Sequence, residues 1–372
     1  MPQLDSPLLL APVFKPKIWG RADLAPLFAH PDAPEVPRRR RSRAPGTPSI
    51  PSPVTHDLSL IGEVWLTDDT SRFLNGPVAE MTLGEACEKY ESELLGGDWS
   101  EPRFPILAKY LFTNDWLSVQ VHPNDDYAAR HESRSPGKCE MWYVVSAERK
   151  ASYLLGSKPG VTMDRLKKSS EHGKSKELLN HFHPQAGEAI YLPPGMVHAL
   201  GPGLVVFEAE QNSDLTYRLD DFGRVGLDGK PRPLQWDKAR EVIRLDVPPR
   251  RDLPLVRLKE AFGSRRYVLA SRKFAVEELL VRRAASFTGS PRRVETLAIV
   301  HGQGRVETPA GWLGYRTGQT WLIPPAARQY RLVPREPTRL FRVYVPNIES
   351  DFRRPLEKRR VRAAMVNGIC FD

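Results

Sequence analysis

The chain has 372 residues, of which 40% are hydrophobic, so it can bury a large core and favours two domains or one fused double barrel. Its net charge of +10 could indicate nucleic-acid binding, but no helix-turn-helix, zinc-finger or RNA-binding motif is present, and we expect no nucleic-acid partner. Cys87, Cys139 and Cys370 are too few and too dispersed for a disulfide framework. No apolar span approaches bilayer length, so we expect no membrane partner and a cytoplasmic location.

Residues 31–56 interrupt the globular pattern near the amino-terminal end. The segment is rich in proline and contains the basic run Arg38 to Arg41. Proline geometry and like-charge repulsion both oppose packing, so we predict a flexible, solvated insertion. A nuclear-localisation or nucleic-acid-binding tail is the alternative interpretation.

Helices are predicted at three places in the first half of the chain. Thr82 and Glu85 form a capping box for a helix that Gly96 ends. Residues 124–132 predict a short helix, and residues 163–181 predict helices that cross outside a barrel. The histidines on or near these segments lack partners at strand spacing and are interpreted as non-ligands: His131, His172, His181 and His183.

Two short segments alternate polar and apolar residues, which is typical of strands. Side chains at positions i and i+2 point to the same face of a strand. Ser118, Gln120 and His122 therefore share one face of the first segment. Lys138 and Glu140 share one face of the second. These faces predict a polar site inside a β-barrel.

A third segment, residues 187–198, reads as a glycine turn, a strand and a Pro-Pro-Gly corner that places His198 beside the other strands. Gln120, His122, Glu140 and His198 together offer one amide oxygen, one carboxylate and two imidazoles. Such nitrogen and oxygen ligands suit a catalytic zinc ion, while iron, manganese and cobalt remain compatible with the same ligand types.

The chain resembles the type I mannose-6-phosphate isomerases in their short bacterial form. The resemblance extends from about Pro12 to Arg224, with residues 31–56 longer than the family's usual connection. It rests on six blocks in the family's order: APVFKPKIWG, SLIGEVWLTDD, WLSVQVHPNDDYA, GKCEMWYVV, YLPPGMVHALGPG and EQNSDLTYRLDDFGR.

This resemblance implies a zinc-dependent cupin enzyme that interconverts mannose 6-phosphate and fructose 6-phosphate, a small sugar-phosphate substrate. It implies one Zn²⁺ per chain, with the family's ligands carried onto the four residues already named. It also carries the family's active-site arginine onto Arg218.

The reaction passes through an enediol or enediolate and needs both a phosphate anchor and charge stabilisation. Arg218 offers a planar fork and Lys138 a point charge, so both are predicted to be catalytic and to bind substrate. Ser118 is a predicted hydroxyl donor to the substrate. The proton-transferring base stays open between Glu208 and water held by the metal.

A weak internal repeat follows Asp246, where short β-rich runs return. Residues 318–329 copy the layout of residues 187–198, and Gln329 stands where the first copy has His198. The second copy is therefore predicted to have lost its metal. His301 is interpreted as a surface-turn residue and not as a replacement ligand.

We predict an all-β fold with peripheral helices, formed by a double cupin of two antiparallel β-barrels, or jelly rolls. Residues 1–240 are expected to form a catalytic domain with helical insertions, and residues 241–372 a degenerate cupin domain. We expect a monomer or a weak homo-oligomer.

Two other functions remain open. A non-catalytic bicupin that binds sugar phosphates would keep the pocket and lack turnover. Another metal-dependent cupin enzyme, such as an iron oxygenase, commonly presents two histidines and a carboxylate without a glutamine at the position of Gln120.

Overall fold

The structure of the chain, a computed structural model, describes residues 4–28, 60–99, 101–132 and 135–371. The predicted insertion at 31–56 lies outside the described residues. Across the described ranges the chain is mostly β, as predicted, with four sheets and with helices between the strands. None of the helices in these ranges is both long and apolar enough to span a membrane.

The described residues up to 242, called the first half below, contain twelve strands and four α-helices. The strands are β1 (Leu8–Leu10), β2 (Val13–Arg21), β3 (Ile61–Trp65), β4 (Ile106–Thr113), β5 (Val119–Val121), β6 (Glu140–Ala147), β7 (Tyr153–Ser157), β8 (Leu179–Phe182), β9 (Ala189–Leu192), β10 (His198–Leu200), β11 (Leu204–Gln211) and β12 (Tyr217–Asp220). The helices are α1 (Leu83–Leu95), α2 (Asp125–His131), α3 (Met163–Glu171) and α4 (Trp236–Val242), with short 3-10 turns at Gly76–Val78 and Ser175–Leu178.

The described residues from 243 onward, called the second half below, contain more strands than helices. Its strands are β13 (Val256–Glu260), β14 (Gly263–Ser271), β15 (Ala275–Val281), β16 (Ala285–Thr288), β17 (Glu295–His301), β18 (Gln303–Thr308), β19 (Gly311–Arg316), β20 (Thr320–Ile323), β21 (Gln329–Pro334), β22 (Thr338–Tyr344) and β23 (Cys370–Phe371). Its helical segments are α5 (Arg354–Lys358), α6 (Ala363–Asn367), a 3-10 turn at Pro325–Ala327 and a π-helical turn at Glu349–Arg353.

Two sheets of the first half enclose the space that holds the candidate site. A six-stranded sheet has the order β2-β3-β4-β11-β6-β9, and a five-stranded sheet has the order β12-β5-β10-β7-β8. Large side chains from both sheets, including Leu111, Trp142, Tyr153 and Leu204, pack into one shared core. Trp142 lies two residues after Glu140 on β6, so the carboxylate points to the same inward face as this core.

Strand β5 shows why one face is polar and the other apolar. Val119 and Val121 belong to an outer core that also contains Leu166 of α3 and Ala239 of α4. Gln120 points to the opposite face, as the alternation of β-strand side chains requires. The helices thus cover the apolar side of the five-stranded sheet and leave its polar side to face the six-stranded sheet.

The second half contributes an eight-stranded and a four-stranded sheet with a further apolar core between them. The eight-stranded sheet also packs on the outer face of the six-stranded sheet, where the Phe341 ring lies 4.7 Å from Tyr143 and 4.4 Å from Phe207, centroid to centroid. Strand β1 pairs with β20, Leu9 opposite Trp321. The first strand of the chain therefore completes a sheet otherwise built from the second half.

Two of the predicted helices are confirmed. The hydroxyl of Thr82 accepts a hydrogen bond from the Glu85 amide at 3.2 Å, and the Glu85 carboxylate accepts one from the Thr82 amide at 2.7 Å. This capping box begins α1, and Gly96 caps its end. The short helix expected at 124–132 is α2, capped by the Asn124 side chain.

The prediction of helices throughout 163–181 is wrong at its end. Helix α3 stops at Glu171, and the strand β8 begins at Leu179. The last residues pair with β7, with His181 opposite Leu154. Pairing to a strand that is distant in sequence overrides the local preference there, because it buries Leu179 and satisfies backbone groups.

Candidate metal centre and active site

Two imidazoles face each other between the two sheets. The Nε2 atoms of His122 and His198 are 3.2 Å apart. The Nδ1 atom of His122 lies 2.6 Å from the carbonyl oxygen of Leu215, and that of His198 lies 2.9 Å from the carbonyl oxygen of Met196. A carbonyl oxygen can only accept, so each Nδ1 donates and each Nε2 presents a lone pair. Two lone pairs this close repel each other unless a cation lies beside them.

Glu140 brings a carboxylate to the same point from the six-stranded sheet. Its Oε1 lies 3.2 Å from His122 Nε2, and its Oε2 lies 3.5 Å from His198 Nε2. The residue is 1% exposed, and Oε2 has no hydrogen-bond partner. The ligand atoms of His122, Glu140 and His198 all lie within 4.8 Å of one another. A buried carboxylate oxygen without a partner, next to two imidazole lone pairs, is a donor set that fits a divalent metal ion.

Gln120 lies in a row with Arg218 and His198 across three neighbouring strands. It is directly opposite His198 of β10 on one side and Arg218 of β12 on the other. Its amide nitrogen lies 3.3 Å from His198 Nε2, and its amide oxygen accepts a hydrogen bond from Ser118 Oγ at 3.2 Å. A half-turn of the amide exchanges nitrogen and oxygen, so Gln120 can present either atom to the site.

Burial keeps the two imidazoles neutral. It lowers the pKa of His122 to about 4, with Glu140 opposing the shift and Lys138 adding to it. Burial also lowers the pKa of His198, again against the attraction of Glu140. Neutral imidazole is the form that binds metal ions, so both side chains are in the required state at neutral pH.

Lys138 places an ammonium group beside the Glu140 carboxylate. Its Nζ lies 3.1 Å from Glu140 Oε1 and 3.2 Å from Glu210 Oε2, and the residue is 3% exposed. Burial disfavours the charge, but the carboxylates of Glu210 and Glu140 outweigh it and raise the pKa of Lys138. Lys138 is therefore a fixed cation that can donate hydrogen bonds and cannot act as a base at neutral pH.

Arg218 lies on β12, the strand at the edge of the five-stranded sheet. Residues directly opposite each other in an antiparallel pair point to the same face, so Arg218 shares the face of Gln120. Its Nη1 donates to the carbonyl oxygen of Pro233 at 3.0 Å, whereas its buried Nε has no hydrogen-bond partner. Burial and the nearby Arg232 lower the pKa of Arg218, although a guanidinium stays charged at neutral pH.

A second buried lysine lies behind Lys138. Lys109 Nζ is 2.9 Å from Glu208 Oε2, 3.0 Å from Glu210 Oε1 and 3.9 Å from Glu63 Oε2. Burial opposes the charge of Lys109, but the three carboxylates raise its pKa well above the usual range. Burial raises the pKa of Glu210, whereas the ammonium groups of Lys109 and Lys138, 3.0 and 3.2 Å from its two oxygens, oppose this shift and favour the charged carboxylate.

Glu208, the predicted candidate for the base, is engaged on both oxygens. Its Oε2 pairs with Lys109, and its Oε1 accepts a hydrogen bond from Trp142 Nε1 at 2.6 Å. Lys109 and the two further carboxylates that it contacts, Glu63 and Glu210, were not predicted from the sequence. A signal was present, because Lys109 is the one charged residue of β4 and Glu210 follows Glu208 by two positions on β11.

The four histidines that were predicted to be non-ligands belong to no metal-ligand group among the described residues. His131 stacks on Tyr127 at 4.2 Å between ring centroids. His172, His181 and His183 are exposed and lie beside backbone carbonyls.

The strand layout of the second half agrees with the predicted repeat. Glu295 begins β17 and pairs with Ile323 of β20, as Glu140 begins β6 and pairs with Leu192 of β9. Here, however, Arg342 donates to both oxygens of Glu295, at 2.9 and 2.6 Å. The predicted degenerate positions, Gln329 and His301, are exposed, and no group of His, Cys, Asp and Glu ligands among the described residues includes His301.

The amino-terminal part of the chain matches a family model. Residues 8–141 match the catalytic domain of type I phosphomannose isomerase. The match spans the candidate residues Ser118, Gln120, His122, Lys138 and Glu140.

Relatives cover most of the chain. The mannose-6-phosphate isomerase ManA of Bacillus subtilis is 31% identical over 331 residues, which are 88% of this chain and 95% of ManA. The crystal structure of the mannose 6-phosphate isomerase from Bacillus subtilis has a TM-score of 0.77 at 25% identity, covering 91% of this chain and 99% of that one. A zinc-bound mannose 6-phosphate isomerase structure has a TM-score of 0.67 with the same coverage, but its 17% identity shows the fold alone.

Replacing Gln329 or His301 with alanine should leave the metal content of the purified protein unchanged, because both side chains are exposed, whereas His122, Glu140 and His198 form a buried group. Elemental analysis of each variant measures this. The matched control is His122→Ala, which should lose metal. A lost metal equivalent in either surface variant would show that the second copy binds metal.

Proposed function

The chain belongs to the type I phosphomannose isomerases, and on this basis we propose that it interconverts mannose 6-phosphate and fructose 6-phosphate through an enediol or enediolate. The reaction moves a proton between adjacent carbons and builds negative charge on neighbouring oxygens, so its site must be cationic. The observation that carries the proposal is the convergence of His122, Glu140 and His198, whose ligand atoms lie within 4.8 Å of one another and include a Glu140 oxygen without a hydrogen-bond partner.

We propose one Zn²⁺ per chain as the cofactor, held by the two imidazole Nε2 atoms, the Glu140 carboxylate and the Gln120 amide oxygen. The lone pairs and the unpartnered Glu140 oxygen support this set. Iron, manganese and cobalt are compatible with the same ligand types. When bound, the ion supplies positive charge that polarises the substrate carbonyl and stabilises the two reacting oxygens.

Three side chains of the protein are proposed to bind the substrate or to stabilise the charge that develops on it. Lys138 donates hydrogen bonds from a fixed ammonium group and anchors the anionic substrate. Arg218 directs its guanidinium to the enediolate charge, which its unpartnered Nε and its place beside Gln120 support. Ser118 orients Gln120 through its hydroxyl and is a further donor to the substrate.

The structure favours a structural role for Glu208 over the role of proton-transferring base. Both of its oxygens are already paired, one with Lys109 and one with Trp142. A base needs a free oxygen within reach of the substrate proton, and Glu208 has none.

The finer architecture is also part of the proposal. We propose that the two pairs of sheets form two cupin-type barrels, with residues 1–240 as the catalytic domain and residues 241–372 as the degenerate one. The shared register of the Glu140 and Glu295 strands supports the repeat. Strand β1 would then reach across to the second barrel.

Turnover of mannose 6-phosphate, followed by coupled detection of fructose 6-phosphate, tests the function. It separates the isomerase from a non-catalytic bicupin, which would bind the sugar phosphate without converting it. Elemental analysis separates it from an iron oxygenase, whose usual ligand set lacks a glutamine.

His198→Ala should abolish both zinc content and turnover, because it removes one of the two facing imidazole ligands. The control is His183→Ala, which removes an exposed imidazole outside the site and should retain both. Full zinc occupancy in His198→Ala would refute the ligand assignment.

Lys138 and Arg218 should differ in their kinetic effects. If Lys138 anchors the substrate equally in ground and transition states, Lys138→Ala should raise KM more than it lowers kcat. Arg218→Ala should lower kcat by about 100-fold or more while zinc stays bound, because a donor to the developing charge is lost. Kinetics and zinc content of both variants check this. Unchanged kcat in Arg218→Ala would show that Arg218 only contacts the phosphate or lies at the surface. Loss of zinc in either variant would show that the substitution damages the structure.

A further inference from the structure

Glu210 is, among the described residues, the one carboxylate in contact with both buried lysines. Its Oε1 lies 3.0 Å from Lys109 Nζ, and its Oε2 lies 3.2 Å from Lys138 Nζ. The side chain is completely buried, and neither oxygen accepts a hydrogen bond. Its polar contacts are therefore these two ion pairs.

Strand register places Glu210 beside the proposed metal ligand. Glu210 of β11 is directly opposite Glu140 of β6, and residues opposite each other in an antiparallel pair point to the same face. Two neighbouring buried carboxylates repel each other. The ammonium group of Lys138 lies 3.1 Å from Glu140 and 3.2 Å from Glu210, so it bridges them.

We propose that Glu210 is a positioning residue that fixes the ammonium group of Lys138 beside Glu140 and thereby sets where Lys138 meets the substrate. This inference rests on the proposed isomerase function. The lysine side chain is long and flexible, so its ammonium group keeps one position only when fixed acceptors hold it. Lys109 restrains the other oxygen of Glu210, so the position of Lys138 depends on Glu210 and Lys109.

Glu210 also affects the charge that Glu140 presents to a cation. Without the charge of Glu210, the positive charge of Lys138 faces Glu140 alone and offsets more of its negative potential. Partners outside the metal ligands commonly change metal affinity or activity by about 10- to 100-fold when they are removed. Loss of the Glu210 charge should therefore weaken zinc binding as well as turnover.

The test compares Glu210→Gln with Glu63→Gln in the full chain. Both substitutions preserve shape and remove a buried carboxylate charge near Lys109, but only Glu210 contacts Lys138. We measure kcat and KM for mannose 6-phosphate at saturating zinc, the zinc Kd by chelator competition, and Tm. Glu210→Gln should lower kcat/KM about tenfold or more and weaken zinc binding, whereas Glu63→Gln should keep both within about twofold.

A double-mutant cycle shows whether Glu210 acts through Lys138. Glu210→Gln should add no further loss of kcat/KM in a Lys138→Gln background. If Glu210→Gln fails to fold, Glu210→Asp replaces it, because it keeps the charge but shortens its reach.

Wild-type kinetics and zinc affinity in a folded Glu210 variant would overturn the inference, as would equal losses in Glu63→Gln or additive losses in the double variant. No turnover by the wild-type chain would refute the isomerase function instead. The zinc affinities of the variants would still test the role of Glu210.

Discussion

The cost of burying charge governs the arrangement of this site. Each ion removed from water loses several kcal/mol of hydration free energy, and close partners of opposite charge must offset that loss. Each side chain of the row is at most 10% exposed. The row consists of Glu63, Lys109, Glu208, Glu210, Lys138 and Glu140. Glu210 links Lys109 to Lys138, and Lys138 contacts Glu140, so these ion pairs hold Lys138 and Glu140 in place before substrate arrives.

Strand register is what brings the partners together. On the five-stranded sheet, Arg218, Gln120 and His198 are directly opposite one another on three adjacent strands. On the six-stranded sheet, Glu210 is opposite Glu140 in the same way. Because opposite residues share a face, each sheet presents a row of polar groups to the other. The proposed metal site lies where these two rows meet.

The sequence predicts the parts of the site that depend on local spacing. Alternation within one strand is enough to place Gln120 with His122 and Lys138 with Glu140, because the period of two is a property of the strand itself. It does not reveal which strands are neighbours, so the pairing of Lys109 with Glu210 is not predictable in this way. The error at 163–181 has the same origin, since β8 forms through a distant partner.

The two carboxylates at equivalent strand positions, Glu295 and Glu140, have different partners. Glu295 occupies the register position of Glu140, and the guanidinium of Arg342 binds both of its oxygens. That cation is covalently attached and permanently charged, so the carboxylate is satisfied by the chain itself. At Glu140 one oxygen is left without a hydrogen-bond partner beside two imidazole lone pairs. The same strand pattern therefore gives a carboxylate paired with Arg342 in one half, and in the other a carboxylate with an unpartnered oxygen, which we propose as a metal ligand.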